Sequence, residues 1–303
     1  MTQPPAGLGT LATEQSDPRY SGIDTLPTEE IARLMNAADA AVPAAVATAV
    51  PAISAAIDGI AERMSSGGRL LYVGAGTSGR LAVLDASECP PTFGTDPELV
   101  QGIIAGGDTA LTRSVEGAED DAEAGAAIIR AKEVGPLDSV VGISASGRAP
   151  YVVAAVAEAR RLGALTVGLG CNTATPLSAA ADHAIEVIVG PEIVTGSTRL
   201  KAGTAQKLVL NMISTITMVK CGRTYGNYMI EVSASNSKLV DRAARIVADI
   251  TGAEVPAARE ALEEAGHDVK TAVVMIERGL DPDDARSLLA AHGDRLATAL
   301  RRG

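Results

Sequence analysis

The chain has few of the side chains against which proteins stack ligands. Only 2% of its 303 residues are aromatic, with no Trp and one Phe, Phe93. A surface that reads bases or sugar rings by stacking is therefore excluded, and Ala, Val, Leu and Ile must build the interior. Positive charge is also short: 26 Lys and Arg stand against 37 Asp and Glu, a net charge of −11. A field of that sign repels nucleic acid and anionic membranes, so any anion site must work locally, through backbone N–H groups and hydroxyls. Three scattered cysteines, Cys89, Cys171 and Cys221, have no CxxC spacing and indicate neither a zinc site nor a disulfide framework. His183, His267 and His292 form no metal pair or triad, so no metal is expected. No uninterrupted apolar run is long enough for a bilayer, and the first residues lack the basic and apolar regions of a secretion signal. These absences lead us to expect a cytoplasmic protein with no membrane or nucleic-acid partner.

What is present is apolar and patterned. Hydrophobic residues make up 47% of the chain, enough for one large domain with an appendage or for two domains. Residues 1–22, polar and rich in Pro and Gly, read as an irregular or mobile lead-in. From Thr28 the pattern turns helical, with Ile31, Leu34 and Met35 on one face. Ile53, Ile57, Ile60 and Met64 mark a second helix, ended by Ser65-Ser-Gly-Gly68.

Five short apolar runs follow, Leu70–Val73, Leu99–Ile104, Ser139–Ile143, Leu165–Leu169 and Ile185–Val189, with the length and β-branched content of buried strands. Ala-rich helical stretches such as Asp120–Lys132 and Tyr151–Leu162 separate them. Alternating strand and helix predicts an α/β fold with a parallel sheet covered on both faces, and ligands of such sheets bind at the carboxyl ends of the strands. From about Lys238 the texture is helical with no strand candidates. The expected organisation is a lead and helix over 1–50, an α/β domain over 51–237 and a small helical module over 238–303.

The chemistry gathers in the loops after strands. Gly74-Ala-Gly-Thr-Ser-Gly79 presents backbone N–H groups and two hydroxyls at a helix start. It lacks the Gly-Lys-Ser/Thr of a Walker A loop, and no acidic residue ends the next strand to grip a ribose. Ser144-Ala-Ser-Gly-Arg-Ala149 repeats the arrangement after the third strand, with a helix beginning at Pro150. Two such loops on one sheet edge favour phosphate binding over plain helix capping, with Gly76, Thr77, Ser78, Ser144, Ser146, Gly147 and Arg148 as candidate contacts. Ser197-Thr-Arg-Leu-Lys201 reads as a helix cap offering further donors from Ser197, Thr198 and Lys201. Glu88 is read as following a helix that Pro90 and Pro91 prevent from continuing, a backbone that holds its carboxylate at the site mouth. The acidic run Val115-Glu-Gly-Ala-Glu-Asp-Asp121 sits near a helix start, where acidic side chains also favour the helix dipole.

Three of these stretches, Leu84-Asp-Ala-Ser-Glu-Cys-Pro-Pro-Thr-Phe-Gly94, Val115-Glu-Gly-Ala-Glu-Asp120 and Thr195-Gly-Ser-Thr-Arg-Leu-Lys-Ala-Gly-Thr-Ala-Gln-Lys-Leu-Val-Leu-Asn211, resemble the N-acetylmuramic acid 6-phosphate etherases, enzymes with a sugar isomerase (SIS) domain. The likeness runs from about Pro18 to the C-terminus. It implies a flavodoxin-like SIS domain with a five-stranded parallel sheet flanked by helices, a homodimer, and a C-terminal module similar to a ubiquitin-associated domain. It also implies a carbon–oxygen lyase without a cofactor, acting on a sugar phosphate: lactate is eliminated from N-acetylmuramic acid 6-phosphate in the catabolism and recycling of cell-wall amino sugars. By the same resemblance Glu88 is the proton donor, and Glu119, rather than Glu116, is the second catalytic glutamate, 31 residues on (119 minus 88). The family's usual Ala-Ala-Ser-Gly-Arg-Thr-Pro-Tyr stands here as Ser144-Ala-Ser-Gly-Arg-Ala-Pro-Tyr151, which removes a hydroxyl at Ala149 and adds one at Ser144. Ala234-Ser-Asn-Ser-Lys-Leu239 is a milder departure. The rival expectations are another SIS sugar-phosphate isomerase and a non-catalytic sugar-phosphate sensor.

Overall fold

The computed structural model describes residues 8–232 and 237–301; positions 234–236 of the last family stretch lie outside them. The chain divides into two compact units, Met1–Ser87 with Glu98–Thr215, and Glu88–Pro97 with Ile216–Gly303. The division at Ile216, and the assignment of 88–97 to the second unit, differ from the boundary read near residue 238.

In the first unit, α1 (Thr28–Asp39) and α2 (Val42–Ser65) lead into β1 (Leu70–Gly74), α3 (Gly76–Phe93), β2 (Val100–Ile104), α4 (Thr109–Thr112), α5 (Ala122–Ala131), β3 (Ser139–Ile143), α6 (Pro150–Arg161), β4 (Leu165–Gly170), α7 (Pro176–Ala180), β5 (His183–Glu186) and α8 (Lys201–Lys220). The five strands form one parallel sheet in the order β2-β1-β3-β4-β5. Strands β1, β3 and β4 are buried along their whole length, which is why they read as continuous apolar runs without alternation. β5 begins two residues before the expected Ile185 and ends at Glu186, and only Ile185 within it is fully buried; an edge strand needs less apolar sequence.

On one face, α5 and α6 close a core of Leu71, Val73, Ile129, Val140, Val152, Ala155 and Val156. Helix α2 lies against β4 and β5, burying Val46, Ile53, Ile57 and Ile60. By length and apolar composition alone, the helical stretch Thr28–Ser65 is sufficient to cross a membrane, contrary to the sequence reading, and the apolar side of α2 is spent on the sheet. At the amino ends of the strands, Arg69 clamps Asp138 at 2.8 Å, before β1 and β3 respectively. Gly135 and Arg69 also donate backbone N–H groups to that carboxylate. Burial pulls the Asp138 pKa upward, but the guanidinium and these N–H donors outweigh it and hold the value below the ordinary range.

The lead-in is ordered where it is described. It forms 3-10 turns at Leu8–Thr10, Ala12–Glu14, Pro18–Tyr20 and Ile23–Thr25. Leu11 and Thr13 are buried, and Asn172 Nδ2 donates to Thr13 Oγ1 at 3.0 Å. These anchors correct the expectation of an irregular segment; they come from a residue 159 positions away, which no local pattern announces.

The second unit holds a two-stranded ribbon, β6 (Thr224–Tyr225) and β7 (Tyr228–Met229), and helices α9 (Ser237–Thr251), α10 (Val255–Glu264), α11 (Val269–Arg278), α12 (Pro282–Ala291) and α13 (Leu296–Ala299). Its own core gathers Ile230, Val232, Val247, Leu262, Val273 and Leu289. Asp281 caps α12 and Pro282 opens it, as its sequence indicates. Lys270, almost wholly buried, donates to Glu231 at 2.9 Å and pairs with Asp294.

Candidate functional site

Strands β1 and β3 are sheet neighbours, with Gly74 paired to Ile143 at their carboxyl ends. The sheet order reverses direction between them, so the chain leaves toward opposite faces and a crevice opens. A cavity of about 200 Å³ lies there, lined by Glu14, Ala75, Gly76, Thr77, Ser78, Glu119, Ile143, Ser144, Ala145, Ser146, Ala149 and Thr198. Both glycine-rich loops meet in it.

Helix α3 begins at Gly76, so the N–H groups of Gly76, Thr77 and Ser78 belong to its first turn and have no carbonyl to reach within the helix. They and the helix dipole favour an anion. Gly74 and Gly79 let strand and helix approach: a Cβ at Gly74 would stand 2.6 Å from the Gly79 nitrogen. The Ser78 hydroxyl is spent on Gln206 Oε1 at 2.9 Å, leaving Ser78 to contribute backbone.

In the second loop, Ser144 Oγ accepts the Gly147 N–H and Ser146 Oγ accepts the Arg148 N–H, each at 3.2 Å, and the two oxygens are 3.3 Å apart. One of the two hydroxyls donates to the other, so the remaining hydroxyl proton is what this pair offers a ligand. Gly147 is left-handed (φ 69°) and shapes the turn, and neither it nor Arg148 lines the cavity. Ser144 and Ala149 line the same cavity, so the hydroxyl missing at one position and the hydroxyl gained at the other face one space.

Glu119 lies in a 3-10 turn, Ala118–Asp120, entered through left-handed Gly117. Capping of α5 falls to Asp121, which accepts the Ala124 N–H at 2.9 Å, and Glu119 lines the cavity instead. Burial of its carboxyl, and then the negative charge of Asp120, raise its pKa above the ordinary value.

Other candidates stand elsewhere. Glu88 is exposed and lies inside α3, not after it, with Pro90 and Pro91 inside the same helix. Proline tolerates helical φ, and these two lack the N–H groups that would bond the carbonyls four residues back, so the helix runs on for less than a turn beyond them. The helix ends at left-handed Gly94, whose N–H reaches the Pro90 carbonyl at 3.0 Å. Glu88 is not among the residues lining the cavity. Thr198 lines it; Ser197 and Lys201 do not. The start of α8 is capped neither by Ser197 nor by Thr198. The buried carboxylate of Glu192 accepts the N–H groups of Lys201 and Ala202, at 3.0 and 2.9 Å. Lys201 is itself buried; its Nζ donates to the Val189 carbonyl at 2.8 Å, and it lines a separate cavity with Arg19 and Tyr20. Glu14, on the lead-in, was not anticipated, because the feature that places it is the distant Thr13–Asn172 bond.

Comparison with known proteins agrees with this architecture. Residues 52–160 match the glucokinase regulatory protein N-terminal SIS domain, 122–216 the SIS domain, and 226–278 the C-terminal lid domain of glucokinase regulatory protein. The last description now stands for the helical module that the sequence likened to a ubiquitin-associated domain. A phosphoheptose isomerase from Francisella tularensis shares the fold, with a TM-score of 0.52 and 21% identity over 64% of this chain and 100% of that one. Two relatives named N-acetylmuramic acid 6-phosphate etherase, from Streptomyces avermitilis and Rubrobacter xylanophilus, are 57% and 56% identical. The first match covers 97% of this chain and 95% of the relative, the second 96% of each. With this identity along nearly its whole length, the chain belongs to the N-acetylmuramic acid 6-phosphate etherase family of SIS-domain proteins.

Proposed function

We propose that the chain cleaves the lactyl ether of N-acetylmuramic acid 6-phosphate, releasing D-lactate and leaving N-acetylglucosamine 6-phosphate, as a carbon–oxygen lyase of the cytoplasm. The observation that carries the reading is the cavity at the β1–β3 switch point, where neutral phosphate donors and the raised-pKa carboxylate of Glu119 line one space. The first-turn N–H groups of α3 and the hydroxyls of Thr77, Ser144 and Thr198 hold the phosphate, Ser144 supplying the donor that Ala149 lacks.

In the ring-opened sugar the C1 aldehyde acidifies the C2 proton. Glu119 removes that proton, and a raised pKa makes it the stronger base. The C3–O bond breaks, its electron pair stays on the ether oxygen, and Glu88 protonates the departing lactate. Water then adds at C3 of the unsaturated aldehyde, with Glu88 taking its proton and C2 regaining one from Glu119. Anchoring the phosphate fixes the sugar in the cavity that Glu119 lines. The family resemblance further supports a homodimer.

The test separates the two roles. In deuterium oxide the product N-acetylglucosamine 6-phosphate gains deuterium at C2 by exchange in the wild type. Glu119→Gln abolishes both this exchange and lactate release, whereas Glu88→Gln lowers lactate release by two orders of magnitude or more and leaves the exchange. Exchange surviving in Glu119→Gln would contradict the assignment.

A further inference from the structure

Glu14 and Glu119 are the two charged side chains that line the site cavity, and both are acidic. The Glu14 side chain is exposed, so its carboxylate is hydrated and can exchange that water for a donor on a bound ligand. Glu14 has no ion-pair partner among the described residues. Its backbone is fixed nonetheless. The Glu14 N–H bonds the Leu11 carbonyl at 3.0 Å, and Leu11 and Thr13 on either side of that turn are buried. Asn172 Nδ2 bridges Thr13 Oγ1 and the Ala145 carbonyl, each at 3.0 Å. The lead-in is thereby tied to the loop that carries Ser144 and Ser146. A Cβ added to left-handed Gly196 would lie 3.4 Å from Glu14 Oε2, so the carboxylate lies close to the loop that carries Gly196.

We propose that Glu14 is a specificity-determining residue: its carboxylate accepts hydrogen bonds from the N–H or O–H groups of the sugar bound by its phosphate in this cavity. An ionised carboxylate only accepts. Inorganic phosphate fills the donor cradle but offers Glu14 little beyond like charge, whereas an N-acetylamino sugar phosphate adds an amide N–H and several hydroxyls. Glu14 thus selects sugar phosphates over phosphate and over phosphorylated molecules without such donors. Asn172 is the positioning residue that holds Glu14 on the second loop.

This inference rests on the sugar-phosphate reading of the cavity and is tested by binding, apart from turnover. N-acetylglucosamine 6-phosphate and inorganic phosphate are titrated by calorimetry into the full-length wild type and into Glu14→Gln, which keeps the size of the side chain. Loss of a hydrogen bond to a charged group corresponds to roughly tenfold or more in affinity. The expected result is sugar-phosphate binding weakened at least tenfold while phosphate binds equally or more tightly. The KM for N-acetylmuramic acid 6-phosphate rises by a similar factor, with kcat within about threefold. Unchanged sugar-phosphate binding, or equal weakening of both ligands, would overturn the proposal. If the wild type binds the sugar phosphate with this Glu14 dependence yet releases no lactate, the etherase reading fails and the role of Glu14 stands.

Discussion

Glu119 stands in a 3-10 turn beside Asp120 rather than capping the helix that follows, and this separates it from the other acidic residues of its run. Its pKa is raised, first by burial and then by Asp120. A base must be ionised, so kcat/KM is expected to fall with decreasing pH at a point above the ordinary glutamate range. Asp120→Asn, which removes the like charge, moves that acid limb to lower pH, as a pH profile of lactate release would record; an unmoved limb would exclude the Asp120 contribution. The consequence for stability has the opposite sign to that of a salt-bridged acid. With the folded-state value above the unfolded one, ionised Glu119 costs stability at neutral pH, and the cost is relieved as pH falls through its raised value. Glu119→Gln is therefore expected to leave Tm equal or higher at pH 7 while activity is lost, the difference closing toward acid. At this scale the motif singles out Glu119 from its acidic run, and Glu119 lines the cavity. Glu14 and Glu192 were not legible in the sequence, since a hydrogen bond from Asn172 and a cap from nine residues away leave no periodicity to read.

Among the elements, strands were easier to read than helix ends. A parallel strand buried on both faces is a run of apolar residues, and β3 spans Ser139–Ile143 as expected. The end of α3 lies beyond Pro90 and Pro91 because the ring fixes φ near its helical value, so proline removes a hydrogen bond without forcing the chain out of the helix at once. The turn between β3 and α6 depends on Gly147. A Cβ there would meet Thr175 Oγ1 at 2.4 Å, on a backbone that favours glycine, and Thr175 in turn caps α7 by accepting the Ser178 N–H. Gly147→Ala is expected to cost on the order of 2–4 kcal/mol, combining left-handed strain with overpacking, and to weaken phosphate binding. Denaturant unfolding and calorimetry would detect both effects, and a variant of wild-type stability would show that the turn can relax.

At the scale of the molecule, the alternation of strand and helix was sufficient for the sheet and for the edge on which the site lies. The partition into units was not legible, because Glu88–Pro97 joins a unit whose remainder begins 119 residues later (216 minus 97), and only tertiary packing makes that choice. The second unit has its own core and a buried charge cluster in which Lys270 meets Glu231 and Asp294. Lys270→Met leaves the largely buried Glu231 carboxylate without its nearest cation and is expected to destabilise this unit by about 3 kcal/mol. Hydrogen exchange would show the loss of protection in α9–α13 rather than in the sheet. Net charge and the scarcity of aromatic side chains agree with a site that grips its ligand through backbone and hydroxyl groups. The central claim is that this site breaks an ether rather than merely holding a sugar phosphate. The most direct measurement is free D-lactate after incubation of the full-length protein with N-acetylmuramic acid 6-phosphate. The account requires lactate and N-acetylglucosamine 6-phosphate in equal amounts, lost in Glu119→Gln; substrate that is bound but recovered intact would contradict it.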